Sequence, residues 1–84
     1  MSNPEFHYVY ILHSLSHPER HYTGCTTDLD KRLKKHNYGE VPHTAKFRPW
    51  RMETVIRFHS QQKARKFEKY LKSGSGREFA RKDF

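Results

Sequence analysis

The sequence predicts a small α+β domain: a three-stranded antiparallel sheet flanked by helices, in the order strand, strand, helix, strand, helix, with a further short helix at the end. Three observations carry that expectation. Segments Phe6 to His13 and Trp50 to Phe58 are rich in β-branched and aromatic residues, which suit a pleated, half-buried surface. Leu29 with Leu33, and Ala64 with Phe67 and Leu71, fall at helical spacing. Finally, 84 residues supply one hydrophobic core and not two.

Taken in order, alternation along Phe6 to His13 sets Tyr8, Tyr10 and Leu12 on one face of the first strand and Val9 and Ile11 on the other. Ser14 to Glu19, with His17-Pro18, reads as a loop, and Arg20 to Cys25 returns as the second strand of a hairpin. Tyr22 and Gly24 share a face there, and the glycine leaves space beside the tyrosine. Thr26, Thr27 and Asp28 are N-cap candidates for a helix to about Asn37 or Tyr38, with Gly39 as its stop. Gly39 to Pro49 reads as a basic loop and Trp50 to Phe58 as the third strand. Ser60 caps a second helix through Leu71, ended by Ser73-Gly74-Ser75-Gly76, and Arg77 to Phe84 forms the last short helix. Residues 6–84 thus make one domain behind a flexible start, residues 1–5.

Composition narrows the function. Only 33% of residues are hydrophobic and mean hydropathy is −1.11, close to the disordered range. Aromatics at 14%, spread along the whole chain, supply the bulk that a thin core needs. The balance of 17 Lys and Arg against 9 Asp and Glu gives +8 and a pI near 9.9. So large a charge on so small a body implies a polyanionic partner, nucleic acid before an anionic membrane surface. No stretch approaches the roughly 20 apolar residues of a membrane span, and the polar start lacks a signal peptide's apolar core. The lone Cys25 excludes an internal disulfide and fits a reducing, cytoplasmic setting. His7, His13, His17, His21, His36, His43 and His59 show no zinc-type pairing with cysteine and no H-E-x-x-H spacing, so zinc is set aside and they read mostly as surface residues.

Three constellations could carry chemistry. Glu68 sits on the apolar face Ala64, Phe67, Leu71, where a carboxylate is costly unless a cation meets it. It is either a stripe-edge glutamate paired with Lys72 or a helix-one arginine, or a lone carboxylate for Mg²⁺, an ion that keeps its waters and borrows substrate oxygens. Arg32 and His36 form an i, i+4 pair beside the Leu29 and Leu33 stripe. By themselves they read as part of a basic face with Lys31, Lys34 and Lys35; turned toward the sheet, the guanidinium can grip a phosphate and the imidazole can move a proton. Tyr10 and Tyr22 are a packing pair or two hydroxyls in a cleft. Trp50 reads as core, with stacking on an exposed base, alongside Phe47, as the alternative. Lys31, Lys35, Lys46, Arg48, Lys72 and Arg77 are the basic residues expected to hold a phosphate backbone.

These residues together resemble the GIY-YIG nuclease domain. Tyr8-Val9-Tyr10 stands at the first motif and Tyr22-Thr23-Gly24 at the second. The run Thr27 to Asn37 is similar to the family's helix, with an arginine and, one turn on, a histidine; Thr44, Arg48-Pro49-Trp50, and Ala64 to Leu71 with Glu68 also fit. The resemblance covers about Tyr8 to Phe84 and is closest to small stand-alone bacterial members, similar to the N-terminal nuclease domain of the excision-repair excinuclease. It implies a GIY-YIG fold and a Mg²⁺- or Mn²⁺-dependent endonuclease acting on DNA, in repair or recombination, with a repair-protein partner. It gives Tyr10 the role of general base, Tyr22 that of orienting water or phosphate, Arg32 charge stabilisation, His36 proton transfer or a grip on a tyrosine hydroxyl, and Glu68 the metal. The base could equally fall to Tyr22. The alternative is a module of the same fold that binds and cuts poorly without a partner. Tyr8 replaces the first motif's glycine, Thr23 replaces an isoleucine, and the family's late asparagine has no match after Glu68.

Overall fold

The structure is a computed structural model and describes residues 6–84; the expectation for residues 1–5 lies outside the described residues. Its elements are β1 (His7–Ser14), β2 (His21–Thr26), α1 (Leu29–Asn37), β3 (Trp50–Phe58), α2 (Gln61–Lys72) and α3 (Gly74–Asp83), with a 3-10 turn at Ala45–Phe47. The predicted order holds. The sheet runs β2-β1-β3, and β1 is antiparallel to both neighbours. Each strand predicted from composition is present to within a residue or so at its ends.

Period two decides where β1 sends its side chains, and both faces are covered. Val9 and Ile11 pack with Ala64 and Leu71 of α2, with Phe67, Cys25 and Phe79 around them. Tyr10 and Leu12 pack on the opposite face with Trp50, against Leu29 and Leu33 of α1. A central strand buried on both faces anchors a thin core well, since each of its side chains removes apolar surface from water. Trp50 is core, as its size suggests, and its indole N–H donates to the Thr44 carbonyl at 2.9 Å. Buried in this way, it has no face left to stack on a base.

The caps follow the sequence. Asp28 accepts from the Lys31 N–H at the start of α1, and Ser60 accepts from the Lys63 N–H at the start of α2. Asn37, the last residue of α1, locks that helix to the sheet: its amide donates to the Trp50 carbonyl and accepts from the Trp50 N–H.

One expectation needs correcting. Ser73-Gly74-Ser75-Gly76 is not a stop ahead of a helix at Arg77; it is the cap and first turn of α3. Ser73 closes α2 through its N–H to the Tyr70 carbonyl, then accepts from the Gly76 N–H to open α3. Gly76 is buried against the Tyr70 carbonyl, where a Cβ would overlap backbone atoms. Gly76 thus permits a tight helix-to-helix corner, which composition alone does not distinguish from a linker. The corner turns Phe79 and Ala80 onto the Val9 and Ile11 cluster.

Candidate active site

Three buried side chains from three segments form a chain of hydrogen bonds. Tyr10 (β1), His36 (α1) and Thr44 (the loop before β3) are all within 1% of complete burial. The Thr44 hydroxyl donates its one proton to the Val41 carbonyl at 3.2 Å, so it must accept from the His36 Nδ1–H at 2.8 Å. That leaves His36 Nε2 as a lone pair, and the Tyr10 O–H donates to it at 2.9 Å. One tautomer satisfies every partner.

His36 is therefore no decoration of a basic face. It lies seven residues after Leu29, on the Leu29 and Leu33 stripe itself, and the helix buries that stripe against the sheet. Burial, and then the Arg32 guanidinium, hold the imidazole down at about 4, well below its usual 6.5. Burial pushes the Tyr10 hydroxyl up to about 12, although Arg32 pulls the other way. At neutral pH both are uncharged, as a dry hydrogen-bonded pair requires.

A pH dependence follows. Because the folded pKa of His36 is lowered, the unfolded chain binds the extra proton first as pH falls below 6.5. The stability this group contributes is complete above 6.5 and drains away down to about 4, a loss of roughly 3 kcal/mol. Urea unfolding across that range should show the wild type losing about that much more than His36→Gln. Equal slopes in the two proteins would refute a buried neutral imidazole.

Around this core stand the groups that can meet a substrate. Tyr22 of β2 has its ring 5.0 Å from His36 and 6.4 Å from Tyr10, and is only partly buried. It opens onto a groove of about 800 Å³ whose walls include Arg20, His21, Glu53, Lys72 and Arg77. Lys72 stands 5.6 Å over the Tyr22 ring and bonds Glu68 at 3.1 Å, an i, i+4 pair on α2. The Glu68 side chain is 20% exposed, and its charge helps to raise both the Tyr10 hydroxyl and the Cys25 thiol. Arg32 is half-buried beside Tyr10 and lines a small polar hollow of about 200 Å³ with Cys25, Thr26, Thr27 and Arg65. Tyr10, Tyr22, Arg32, His36 and Glu68 are thus brought together by contact or by field, from four different elements.

The basic residues singled out are not all gathered there. Lys72 and Arg77 line the groove. Lys31 and Lys35 are exposed on α1, and Lys46 is exposed in the 3-10 turn. Arg48 is tied down, its Nε donating to the Ala45 carbonyl at 2.6 Å. Thr44, which the resemblance includes without a role, fixes the His36 tautomer, and one contributor escapes the sequence reading: Arg65, the second guanidinium of the Arg32 hollow. Arg65 follows Ala64 on α2, yet a single arginine in a basic helix carries no signal of its own.

Gly24 explains how the tyrosines fit. It lies directly across from Tyr10 in the β1 and β2 register, and a Cβ there would overlap the Tyr10 hydroxyl and ring. The space expected beside Tyr22 is therefore occupied by Tyr10, which the absent side chain lets lie flat across β2.

A family model described as the GIY-YIG catalytic domain matches residues 6–82. UPF0213 protein BH0048 of Halalkalibacterium halodurans is 39% identical over 72 residues, covering 84% of this chain and 74% of that protein. The solution structure of UPF0213 protein BH0048 from Bacillus halodurans superposes with a TM-score of 0.54 at 36% identity, over 90% of this chain and 80% of that one. Structure-specific endonuclease subunit SLX1 of Debaryomyces hansenii is 38% identical over 77 residues, covering 82% of this chain but only 22% of that protein. The chain thus spans about a fifth of that relative's length and about three quarters of the bacterial one. With the two tyrosine motifs on the paired strands β1 and β2, the arginine and histidine helix packed over Tyr10, and the glutamate helix on the sheet's other face, the chain belongs to the GIY-YIG family of nuclease domains.

Proposed function

We propose that the chain is a divalent-metal-dependent DNA endonuclease, cutting phosphodiester bonds in repair or recombination with little readout of base sequence. The observation that carries it is the buried Tyr10, His36 and Thr44 chain with Tyr22 packed against it at the wall of a basic groove, and with the charges of Arg32 and Glu68 acting on Tyr10. A module that only bound an anionic backbone would gain nothing from a carboxylate among its cations. The +8 charge and the groove cations Arg20, Lys72 and Arg77 fit a phosphate-driven, sequence-tolerant grip. Lys31, Lys35 and Lys46 extend that grip along α1 and its following turn.

Glu68 suits Mg²⁺ or Mn²⁺. Among the described residues it joins no group of three metal-ligating side chains, so protein supplies one carboxylate and the remaining positions fall to water and phosphate oxygens, as hard octahedral ions accept. Lys72, its present partner, is 47% exposed at the side chain and free to swing aside. The ion, when bound, would neutralise charge on the phosphate and acidify water.

The roles of the chain's own residues follow from burial. Tyr10 is sealed, donates to His36 and is pushed up to about 12, so it serves best as a positioning residue that holds the imidazole. Tyr22 is the phenol open to the groove, under the Lys72 ammonium, and takes the part of orienting or deprotonating the attacking water. Arg32, with Arg65 beside it, can hold two phosphate oxygens and stabilise the charge that builds up on them. The relative named as a subunit of a structure-specific endonuclease supports branched or nicked DNA as substrate, and a second protein, a repair factor, that presents it. In a reducing cytoplasm Cys25, its thiol pushed up by burial and by Glu68, stays a packing residue.

The test is incubation of the purified chain with supercoiled, nicked and branched DNA in Mg²⁺ or Mn²⁺. Cutting of at least one substrate is expected. Binding without cutting at any enzyme concentration gives the lead to the second reading, a module that needs its partner for catalysis.

A further inference from the structure

A second cluster lies on the sheet's other face, at the end where the β1 to β2 loop leaves. His13 of β1 and His21 of β2 face each other in register, their rings stacked 4.7 Å apart and within 4° of parallel. Glu53 of β3 completes the row. An uninterrupted register would set Glu53 opposite Leu12, on the α1 face; instead Ile11 pairs with Thr54 and Leu12 with Met52, and the skipped residue is Glu53. This bulge re-aims its carboxylate, as bulges do, to 3.5 Å from His21 Nε2. One ligating atom from each of the three residues lies within 4.8 Å of the others.

The second observation concerns the protons of His13. Its Nε2 meets the Pro18 carbonyl at 2.8 Å and must be the N–H there. Nδ1 is then a bare lone pair, and it is buried with no hydrogen-bond partner, the one such side-chain atom among the described residues. A buried orphan acceptor calls for an explanation. A ligating histidine has this arrangement: its far N–H is held by a backbone carbonyl, so the near nitrogen is presented unprotonated.

We propose that His13, His21 and Glu53 bind a divalent transition metal of the zinc class, with one ligand from each strand of the sheet. Two imidazoles and a carboxylate suit zinc and its neighbours and disfavour Mg²⁺, which wants oxygen alone. The site is thereby chemically separate from Glu68, and it stands whether or not the chain cuts DNA. His21 is exposed, so its ring can turn out of the stack to bring its nitrogen onto the ion. Three protein ligands leave a fourth position open, and His21 and Glu53 both line the groove that Arg20 and Arg77 also flank. The ion would also clamp all three strands, so it should raise thermal stability by mass action.

Calorimetric titration of zinc chloride into the untagged chain, in excess Mg²⁺, tests this. One equivalent is expected to bind and to raise Tm. His21→Gln and Glu53→Gln, both at exposed positions and checked for folding by far-UV circular dichroism, should each weaken binding by more than the roughly 10–100-fold that loss of an outer-shell partner costs. Glu68→Gln should bind zinc as the wild type does. No zinc binding by the wild type, unchanged binding by His21→Gln and Glu53→Gln, or loss of binding in Glu68→Gln would each overturn the assignment, leaving His21 and Glu53 an ordinary surface ion pair.

Discussion

Gly24→Ala should be the most damaging single methyl group that can be added at the candidate site. The new Cβ would land on the hydroxyl end of Tyr10, a ring that is completely buried and pinned through its O–H to His36. Neither partner can give: β2 is held by its ladder to β1, and Tyr10 has Leu12, Trp50 and α1 around it. Overpacking of this kind costs about 1–3 kcal/mol or more, which for a domain this small is a fall in Tm of roughly 5–20 °C. The cost is specific to the pair. In a Tyr10→Leu background, where the ring is gone, Gly24→Ala should cost far less, and a double-mutant cycle of thermal unfolding would measure that coupling. Additive effects, or a Gly24→Ala protein that melts with the wild type, would show that the two residues do not share the space.

The second large effect belongs to catalysis. Arg32→Ala should lower the cleavage rate by roughly 10²–10³-fold while changing DNA affinity much less, because its charge counts most where negative charge develops on the phosphate. Removal of Lys31, an exposed cation on the same helix, should do the reverse, weakening binding slightly and leaving the rate at saturation alone. Single-turnover cleavage with saturating enzyme separates the two. A similar drop in both variants would mean that Arg32 is only part of the general positive field. Arg32→Ala is also informative about the core: the guanidinium helps to keep His36 unprotonated, so its loss should let the imidazole titrate at higher pH.

Much of this is legible in the sequence alone. Strand alternation separates Tyr10 and Leu12 from Val9 and Ile11, because period two needs no knowledge of what the strand packs against. Glu68 stands out for a similar reason, as a carboxylate at a position that a helix must turn inward. His36 can be read two ways: counted from Arg32 it looks like a surface pair, counted from Leu29 it lies on the buried stripe. The remainder depends on register, which a single strand does not encode. The fit of Tyr10 over Gly24 exists only because those two residues face each other across the ladder. His13, His21 and Glu53 are brought into one row by a hairpin and a bulge, so their separations along the chain match no metal motif. The turn at Ser73 to Gly76 misleads differently, since the same small residues serve a linker and a tight corner, and only the Tyr70 carbonyl decides between them.

Glu68→Gln measured against wild type tests the nuclease reading most directly. The substitution keeps the shape and the place of the side chain and removes the charge that an ion needs. Both proteins would be compared on the DNA substrate the wild type cuts best, across a Mg²⁺ or Mn²⁺ titration, with DNA binding measured alongside. The predicted result is metal-dependent cutting by the wild type, cutting reduced by at least about 10²-fold in Glu68→Gln, and DNA binding as tight or tighter once the carboxylate's repulsion is gone. Glu68→Gln cutting as fast as the wild type at every metal concentration would contradict the account at its centre.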